Sequence, residues 1–72
     1  MLMALPEGET LRGEVYPGDT LYYVLSGDLT IRRENIPENL QAGEALAVPA
    51  GVEHELTTQH GAKFLEVTIW NS

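Results

Sequence analysis

Turn-forming residues recur every eight to ten positions along this chain, which leaves no room for a helix of ordinary length. The runs between them are short and rich in Val, Ile, Leu, Tyr and Thr, which favour strands. Short strands at this spacing are typical of an all-β sandwich or barrel, so we predict an all-β fold. The turn signals are Pro17-Gly18-Asp19, Ser26-Gly27-Asp28, residues 35–39, Ala42-Gly43-Glu44, Pro49-Ala50-Gly51 and His60-Gly61.

The alternation of apolar and polar residues assigns faces to the run that follows the second turn signal. Leu29 and Ile31 occupy alternate positions, so we place both in the core. Their neighbours Asp28 and Thr30 then point outward. Gly27 precedes this run, and we expect the chain to reverse there through a glycine with positive φ.

The run from residue 53 to residue 58 carries the first histidine of the chain. Its odd positions are Glu, Glu and Thr, which suit a solvent-facing side. The even positions His54, Leu56 and Thr58 therefore face the interior. A histidine inside a small barrel is either a hydrogen-bonded core residue or part of a site. His60, beside Gly61, is expected instead at an exposed hairpin tip.

Two runs are apolar on both faces, namely residues 20–25 and residues 64–70. A strand has this pattern when one face lines a barrel and the other meets a partner. We predict a subunit contact formed by Leu21, Tyr23 and Leu25, or alternatively by Phe64 and Trp70.

The length of the chain points to the same conclusion. Seventy-two residues without cysteine form at most one domain, residues 1–72, and cannot use a disulfide or a cysteine-ligated zinc ion to stabilise it. Domains of this size have small cores and are commonly stabilised by oligomerisation. We expect a homodimer.

Eleven acidic and four basic residues give a net charge of −7. Such a chain repels phosphate backbones and anionic lipids, so nucleic-acid and membrane partners are not expected. No apolar run approaches the ~20 residues of a membrane-spanning helix, and the first residues lack a basic segment of the kind that opens a signal peptide. We predict a cytoplasmic protein.

A glycine- and proline-rich stretch resembles the second conserved motif of the cupin superfamily. That motif reads G, five residues, P-x-G, two residues, H, three residues, N. Gly43, Pro49, Gly51, His54 and Thr58 fall on its five positions, with Thr in place of Asn. The resemblance implies a small antiparallel β-barrel of jelly-roll type, with this motif at about residues 43–58.

The first cupin motif is matched by spacing, at about residues 8–27. It reads G, five residues, H-x-H, three or four residues, E, six residues, G. Gly8 and Gly27 frame it, but Glu14, Tyr16 and Thr20 stand where the family has His, His and Glu. The resemblance extends over about residues 8–70.

Resemblance to cupins implies a metal held by three His and one Glu, of which only His54 is present here. Divalent metals prefer imidazole and carboxylate ligands, which leaves His54 and Glu14 as ligands if a metal binds at all. We therefore expect no cofactor and a degenerate metal site. The alternative is a metal-dependent enzyme, isomerase or dioxygenase-like, that uses Glu14 and His54 with Fe, Mn, Ni or Zn.

The direction of Glu14 is open at the level of sequence. Alternation in residues 11–16 turns Glu14 and Tyr16 outward, whereas the motif spacing turns both inward, and we favour the motif. An inward Glu14 beside His54 would also allow metal-free acid–base chemistry.

A binding module is the function that we favour. Tyr16, Tyr22, His54 and Thr58 would line a small polar and aromatic pocket for a sugar-like or neutral polar molecule. Whether the protein is also an enzyme is left open by the sequence.

Overall fold

A computed structural model describes residues 1–69, which form seven β-strands and no helix. All pairings among these strands are antiparallel. The predicted all-β class is confirmed. None of the described residues belongs to a helix capable of crossing a membrane. The strands are β1 (Leu2–Leu5), β2 (Thr10–Glu14), β3 (Asp19–Arg33), β4 (Ile36–Gln41), β5 (Ala45–Val48), β6 (His54–Thr57) and β7 (Ala62–Ile69).

The fifteen-residue strand β3 connects the two halves of a curled sheet. Its first part pairs with β5 and β7, and β1 extends that half along β7. Its second part pairs with β4 and β6, and β2 extends that half along β6. We call the half made of β1, β7, β5 and the first part of β3 the front sheet, and the half made of β2, β6, β4 and the second part the back sheet.

The predicted reversal at Gly27 is wrong, because β3 runs through this position without turning back. The strand instead has a β-bulge between Val24 and Ser26, and Gly27 adopts a φ of 80° where the strand passes from the front to the back sheet. A Cβ atom here would collide with the Gly61 carbonyl oxygen. Glycine at this position therefore allows the strand to bend and the Gly61 backbone to approach closely.

The core fills the space between the two sheets and confirms the predicted inner faces. Leu29, Ile31 and Leu56 are fully buried, and the positions that alternate with them on β6 point outward. Pro49 follows the last residue of β5, as expected for a residue that lacks an N–H for the sheet. The buried hydrophobic residues are Leu5, Tyr22, Val24, Leu29, Ile31, Leu40, Val48, Leu56, Ala62 and Phe64.

Asp28 corrects the predicted outward assignment, because it is buried with only 8% of its surface exposed. It lies just after the bend at Gly27, which breaks the simple alternation of faces. Its carboxylate accepts hydrogen bonds from the backbone N–H groups of Gln59 and His60, and it contacts the His60 ring. These backbone bonds, that of Gln59 foremost, lower the pKa of Asp28. The His60 side chain is exposed as predicted.

The position of Phe64 shows that one of the two predicted contact surfaces, the one formed by Phe64 and Trp70, is wrong for Phe64. It is completely buried in the core, so it contributes nothing to an outer surface. Trp70, its predicted companion, lies outside the described residues. The alternative set, Leu21, Tyr23 and Leu25, lies on the outside of the front sheet.

Candidate binding site at the barrel mouth

His54 is the first residue of β6 and is almost fully buried. Its Nδ1 lies 3.0 Å from the carbonyl oxygen of Val52. A carbonyl oxygen only accepts hydrogen bonds, so Nδ1 carries the hydrogen and donates it. In the neutral ring Nε2 is then an acceptor, which fixes the tautomer through the backbone that precedes β6.

Tyr22 supplies the partner of that acceptor. Its hydroxyl oxygen lies 2.6 Å from His54 Nε2, so the phenol donates to the imidazole. The two rings meet edge to face with centroids 5.6 Å apart, and Phe64 packs on the other side of Tyr22. Burial, with the charge of Glu66 second, raises the pKa of Tyr22. The phenol therefore keeps its proton and remains a donor.

A β-bulge in β2 explains how Glu14 reaches the same place. The register between β2 and β6 shifts between Leu11 and Glu14, and Gly13 within this interval has a φ of 69°. Because a bulge adds a residue to one strand, the side chains on its two sides no longer follow simple alternation. Leu11 packs against the core and Glu14 is also half-buried, opposite His54. The orientation expected from motif spacing is the one observed.

Tyr16 covers this group of side chains from the loop after β2. Its hydroxyl donates to Glu14 Oε2 at 2.9 Å, and its ring centroid lies 6.0 Å from that of His54. Burial, the hydrogen bond to Glu14 and the nearby charge of Glu66 raise the pKa of Tyr16. Tyr16 is half-buried, so it is accessible from solvent while it contacts the inner residues.

Glu66 is a member of this group that sequence reasoning missed. It lies on β7 directly opposite Tyr22, it is buried, and its negative charge acts on both tyrosines. The signal was the alternation in β7: Phe64 faces the core, so Glu66 two positions later faces the same way. Leu65 and Val67, the apolar residues on either side of Glu66, lie on the other face of the strand. We call Glu14, Tyr16, Tyr22, His54 and Glu66 the mouth cluster.

Thr20 and Thr58 occupy inner positions but do not join the mouth cluster through hydrogen bonds. The Thr20 hydroxyl oxygen lies 3.1 Å from that of Thr68 on β7. The Thr58 hydroxyl donates to the Asp28 carbonyl oxygen at 2.6 Å and accepts the N–H of Gly61. Thr58 follows the end of β6, whereas His54 begins it. Of the four predicted binding residues, the structure thus brings together Tyr16, Tyr22 and His54 and places Thr58 elsewhere.

The donor set does not fit a tightly bound transition metal. Within residues 1–69, no three His, Cys, Asp or Glu side chains are grouped so that they could hold a metal ion. Both nitrogens of His54 are engaged, by the Val52 carbonyl and by Tyr22. Glu14 accepts a hydrogen bond from the Tyr16 hydroxyl, and a phenol of raised pKa is a poor metal ligand.

An open groove of about 590 Å³ reaches His54 from the outer side of the back sheet. Arg12 and Arg32 line it, and Glu55 lies between them, 3.6 Å from the Arg12 guanidinium. Among the predicted binding residues, His54 lines this groove, whereas Tyr16, Tyr22 and Thr58 are not part of its lining. Glu34 and Glu53 also line the groove, which therefore carries three acidic side chains beside its two arginines.

The mouth cluster combines hydrogen-bond acceptors with an aromatic ring and is poorly suited to proton transfer. Glu14 and Glu66 are hydrogen-bond acceptors, Tyr16 offers a half-exposed aromatic ring, and Tyr22 with His54 forms a rigid base beneath them. Both tyrosines have raised pKa values, so neither serves as a base near neutral pH.

The antiparallel barrel and the motif positions at its mouth are those expected of a cupin. Comparison with known protein families supports this class. The chain belongs to the cupin family, since the cupin domain model matches residues 1–68. The fold is accordingly a jelly-roll barrel. No curated protein matches the chain.

Several solved structures share this fold. A cupin superfamily protein from Desulfitobacterium hafniense DCB-2 is 31% identical with a TM-score of 0.92, and the match covers 97% of this chain and 64% of that protein. A protein from Thermus thermophilus is also 31% identical, with a TM-score of 0.84 and coverage of 99% and 70%. A putative ethanolamine utilization protein Q from Salmonella typhimurium LT2 is 25% identical, with a TM-score of 0.84 and coverage of 93% and 53%. The chain thus spans 53–70% of the length of these proteins.

Proposed function

We propose that this protein is a metal-independent binding module that holds a small hydroxyl-bearing molecule, such as a sugar, at the barrel mouth. The observation that carries the proposal is the state of His54, whose two ring nitrogens are both hydrogen-bonded within the protein. Histidine at this motif position is a metal ligand in other cupins, whereas here His54 is held in one orientation by its two hydrogen bonds. Tyr16 and Glu14, which are half-buried above it, form the accessible part.

The chemistry of the mouth cluster supports a ligand with several hydrogen-bond donors. Glu14 and Glu66 place two carboxylates near the Tyr16 hydroxyl, and a carboxylate accepts strong hydrogen bonds from hydroxyl or ammonium groups. The Tyr16 ring adds an apolar surface for the carbon skeleton. Small-molecule sites commonly combine an aromatic wall with a few placed polar groups.

The same geometry counts against the two enzyme alternatives. A metal-dependent isomerase or dioxygenase-like enzyme would need His54 Nε2, which is occupied by Tyr22. Metal-free acid–base catalysis by Glu14 and His54 would need an imidazole nitrogen open to substrate. We therefore expect no cofactor. The absence of nucleic-acid or membrane partners stays a prediction that rests on the acidic composition, and the cytoplasmic location stays a prediction as well.

The likeness to the ethanolamine utilization protein suggests a second kind of probe. Ethanolamine is a small molecule with one hydroxyl and one ammonium group, and both would find acceptors in Glu14 and Glu66. We therefore include it beside neutral monosaccharides. If the protein prefers ethanolamine to glucose and ribose, we would infer that the ammonium group binds between the carboxylates of Glu14 and Glu66.

The test is NMR titration of the protein with glucose, ribose and ethanolamine. We expect saturable shifts at the Tyr16 and Tyr22 backbone amides with at least one of them. Tyr16→Phe should weaken this binding at least about fivefold, because it removes the hydroxyl oxygen that would accept a hydrogen bond of about 1 kcal/mol from the ligand. Tyr23→Phe removes the same atom from the outside of the front sheet and should leave binding unchanged. Saturation that both variants weaken equally, or shifts confined to other residues, would overturn the proposal.

A further inference from the structure

Glu66 is a buried carboxylate without an ion-pair partner in the described part of the chain. Only 8% of its surface is exposed, and it faces the inside of the barrel. The ion pairs among residues 1–69 are Arg12–Glu55 and His60–Asp28, and neither includes Glu66. Removing a charge from water is costly unless an opposite charge or several hydrogen bonds compensate for it. Glu66 therefore suits a positively charged partner that the described residues do not supply.

Glu14 brings a second carboxylate to the same place. Its Oε2 accepts the hydrogen bond of the Tyr16 hydroxyl at 2.9 Å, and Glu66 lies close enough to act on that hydroxyl as well. A phenol has one hydrogen to donate, so a single donor faces two carboxylates. The Tyr22 hydroxyl is already engaged, since it donates to His54. The mouth cluster thus has an excess of hydrogen-bond acceptors and of negative charge.

Three of the four basic side chains lie on outer surfaces. Arg12 and Arg32 line the groove on the outer side of the back sheet. Lys63 is exposed on β7, and because it lies three positions before Glu66 it points to the opposite face of the strand. These three side chains therefore point away from the mouth cluster.

The two remaining cationic groups are also directed elsewhere. Arg33 lines a separate cavity together with Glu34 and Glu38, whose carboxylates can balance its charge. The amino group of Met1 donates to the backbone carbonyl oxygen of Glu66 at 2.6 Å and not to its carboxylate. The charge of the mouth cluster is therefore set by its two glutamates.

We propose that the ligand of the mouth carries an ammonium group beside its hydroxyl groups, as an amino sugar does, and that Glu66 is the residue that selects it. This inference rests on the proposed function and names the class of molecule that the site takes. An ammonium group between Glu66 and Glu14 donates hydrogen bonds to both carboxylates, and such charge-assisted bonds are about twice as strong as neutral ones. The half-exposed Tyr16 ring adds an aromatic face that attracts cations. The same charges repel anionic ligands.

The test compares glucosamine with glucose, which has a hydroxyl in place of the amino group. Each is titrated into the wild type at pH 6.5, and NMR follows the backbone amides of Tyr16 and Tyr22. Sodium chloride at 150 mM screens the general attraction of a protein of net charge −7 for cations. We expect glucosamine to bind at least about tenfold more tightly than glucose.

Two matched variants assign this preference to a residue. Glu66→Gln keeps the shape of the side chain and removes its charge, so the preference for glucosamine should fall to about threefold or less. Glu7→Gln removes the same charge from an exposed residue between β1 and β2 and should keep the full preference. A folded Glu66→Gln variant that keeps the full preference would overturn the assignment of Glu66.

The wild-type comparison needs no variant, so it decides the case even if Glu66→Gln does not fold. Thermal denaturation provides a second measurement, because glucosamine should raise the wild-type Tm more than glucose at the same concentration. Equal affinities for the two compounds would overturn the inference and leave the proposed function intact. Binding of neither compound would also overturn it, and the proposed function with it if ribose and ethanolamine fail to bind.

Discussion

In the Tyr22–His54 pair, the histidine of the second cupin motif forms hydrogen bonds within the protein through both ring nitrogens. A histidine with two free nitrogens could bind a metal, but here Nδ1–H donates a hydrogen bond to the Val52 carbonyl and the Tyr22 hydroxyl donates one to Nε2. Both side chains are buried, so neither hydrogen bond can be replaced by water without moving the core. The pair is a structural support that leaves Tyr16 and Glu14 to contact a ligand.

Removal of the Tyr22 hydroxyl should destabilise the protein. Tyr22→Phe leaves the buried Nε2 of His54 without a donor, and we expect the free energy of unfolding to fall by about 1–2 kcal/mol. Tyr23→Phe removes a hydroxyl from the exposed face of the same strand and should cost less than about 0.5 kcal/mol. Urea denaturation of both variants measures the difference. Equal losses would show that the Tyr22–His54 bond contributes nothing specific.

Asp28 makes stability depend on pH in the acid range. Its folded pKa lies below the ordinary value of 3.8, so its contribution is complete above that value and is lost as the pH falls through the folded pKa. Asp28→Asn should lower stability near pH 7 by about 1 kcal/mol. It should also make the decline below about pH 4 shallower than in the wild type. Denaturation curves between pH 2 and pH 7 test this; parallel curves for the two proteins would contradict it.

At the scale of elements, irregular strands mark the limits of what alternation can predict. The inner faces of Leu29, Ile31, His54 and Leu56 followed directly from a period of two, because these stretches are regular. The face of Glu14 did not, since a bulge at Gly13 changes the phase of β2. A glycine inside a strand pattern was the available signal for that bulge.

The bend in β3 was missed for a related reason. Ser26-Gly27-Asp28 has the composition of a hairpin turn, and composition alone does not distinguish a reversal from a bend within a strand. The distinction comes from Gly61, whose carbonyl oxygen approaches Gly27 from the β6–β7 connection. Such a contact between residues distant in sequence is invisible to local patterns, and the same bend brought Asp28 inward.

Two glycines with similar backbone angles should respond differently to alanine. Gly27 and Gly43 have φ values of 80° and 89°, but a Cβ at Gly43 meets no atom within 4 Å, whereas one at Gly27 collides with backbone. We expect Gly43→Ala to cost about 1–2 kcal/mol, from the left-handed conformation alone. Gly27→Ala should cost about 3 kcal/mol or more, because the β6–β7 connection must also move. Thermal denaturation measures the stability of the two variants. Equal destabilisation would contradict the close approach of the Gly61 carbonyl oxygen to Gly27.

For the whole molecule, the sequence predicted the architecture better than the site. Turn spacing and the second motif indicated an antiparallel barrel, because both depend on local residues. The mouth cluster depends on five residues from β2, the loop after it, β3, β6 and β7, and Glu66 falls in neither motif. Its role emerged from the pairing of β7 with β3, which places it opposite Tyr22.

A metal site should be recoverable by design if the motif spacing is correct. The substitutions Tyr16→His and Thr20→Glu restore two ligand types, and Tyr22→Phe frees Nε2 of His54. Together with Glu14 and His54 they provide two imidazoles and two carboxylates, a set suited to divalent metals. Elemental analysis should find well below one equivalent of Fe, Mn, Ni or Zn in the wild type and close to one in the folded triple variant. A folded variant without metal would show that these positions do not converge.

The tautomer of His54 tests most directly whether the mouth cluster functions without a metal. Long-range ¹⁵N–¹H NMR at pH 7 reports which ring nitrogen is protonated, and His60→Gln removes the signals of the other histidine in the chain. We expect the hydrogen on Nδ1 and an acceptor Nε2, and no change in either nitrogen when one equivalent of Zn²⁺ is added. A hydrogen on Nε2 in the free protein, or a stoichiometric Zn²⁺-dependent shift of that nitrogen, would contradict the assignment of His54 as a hydrogen-bonded support.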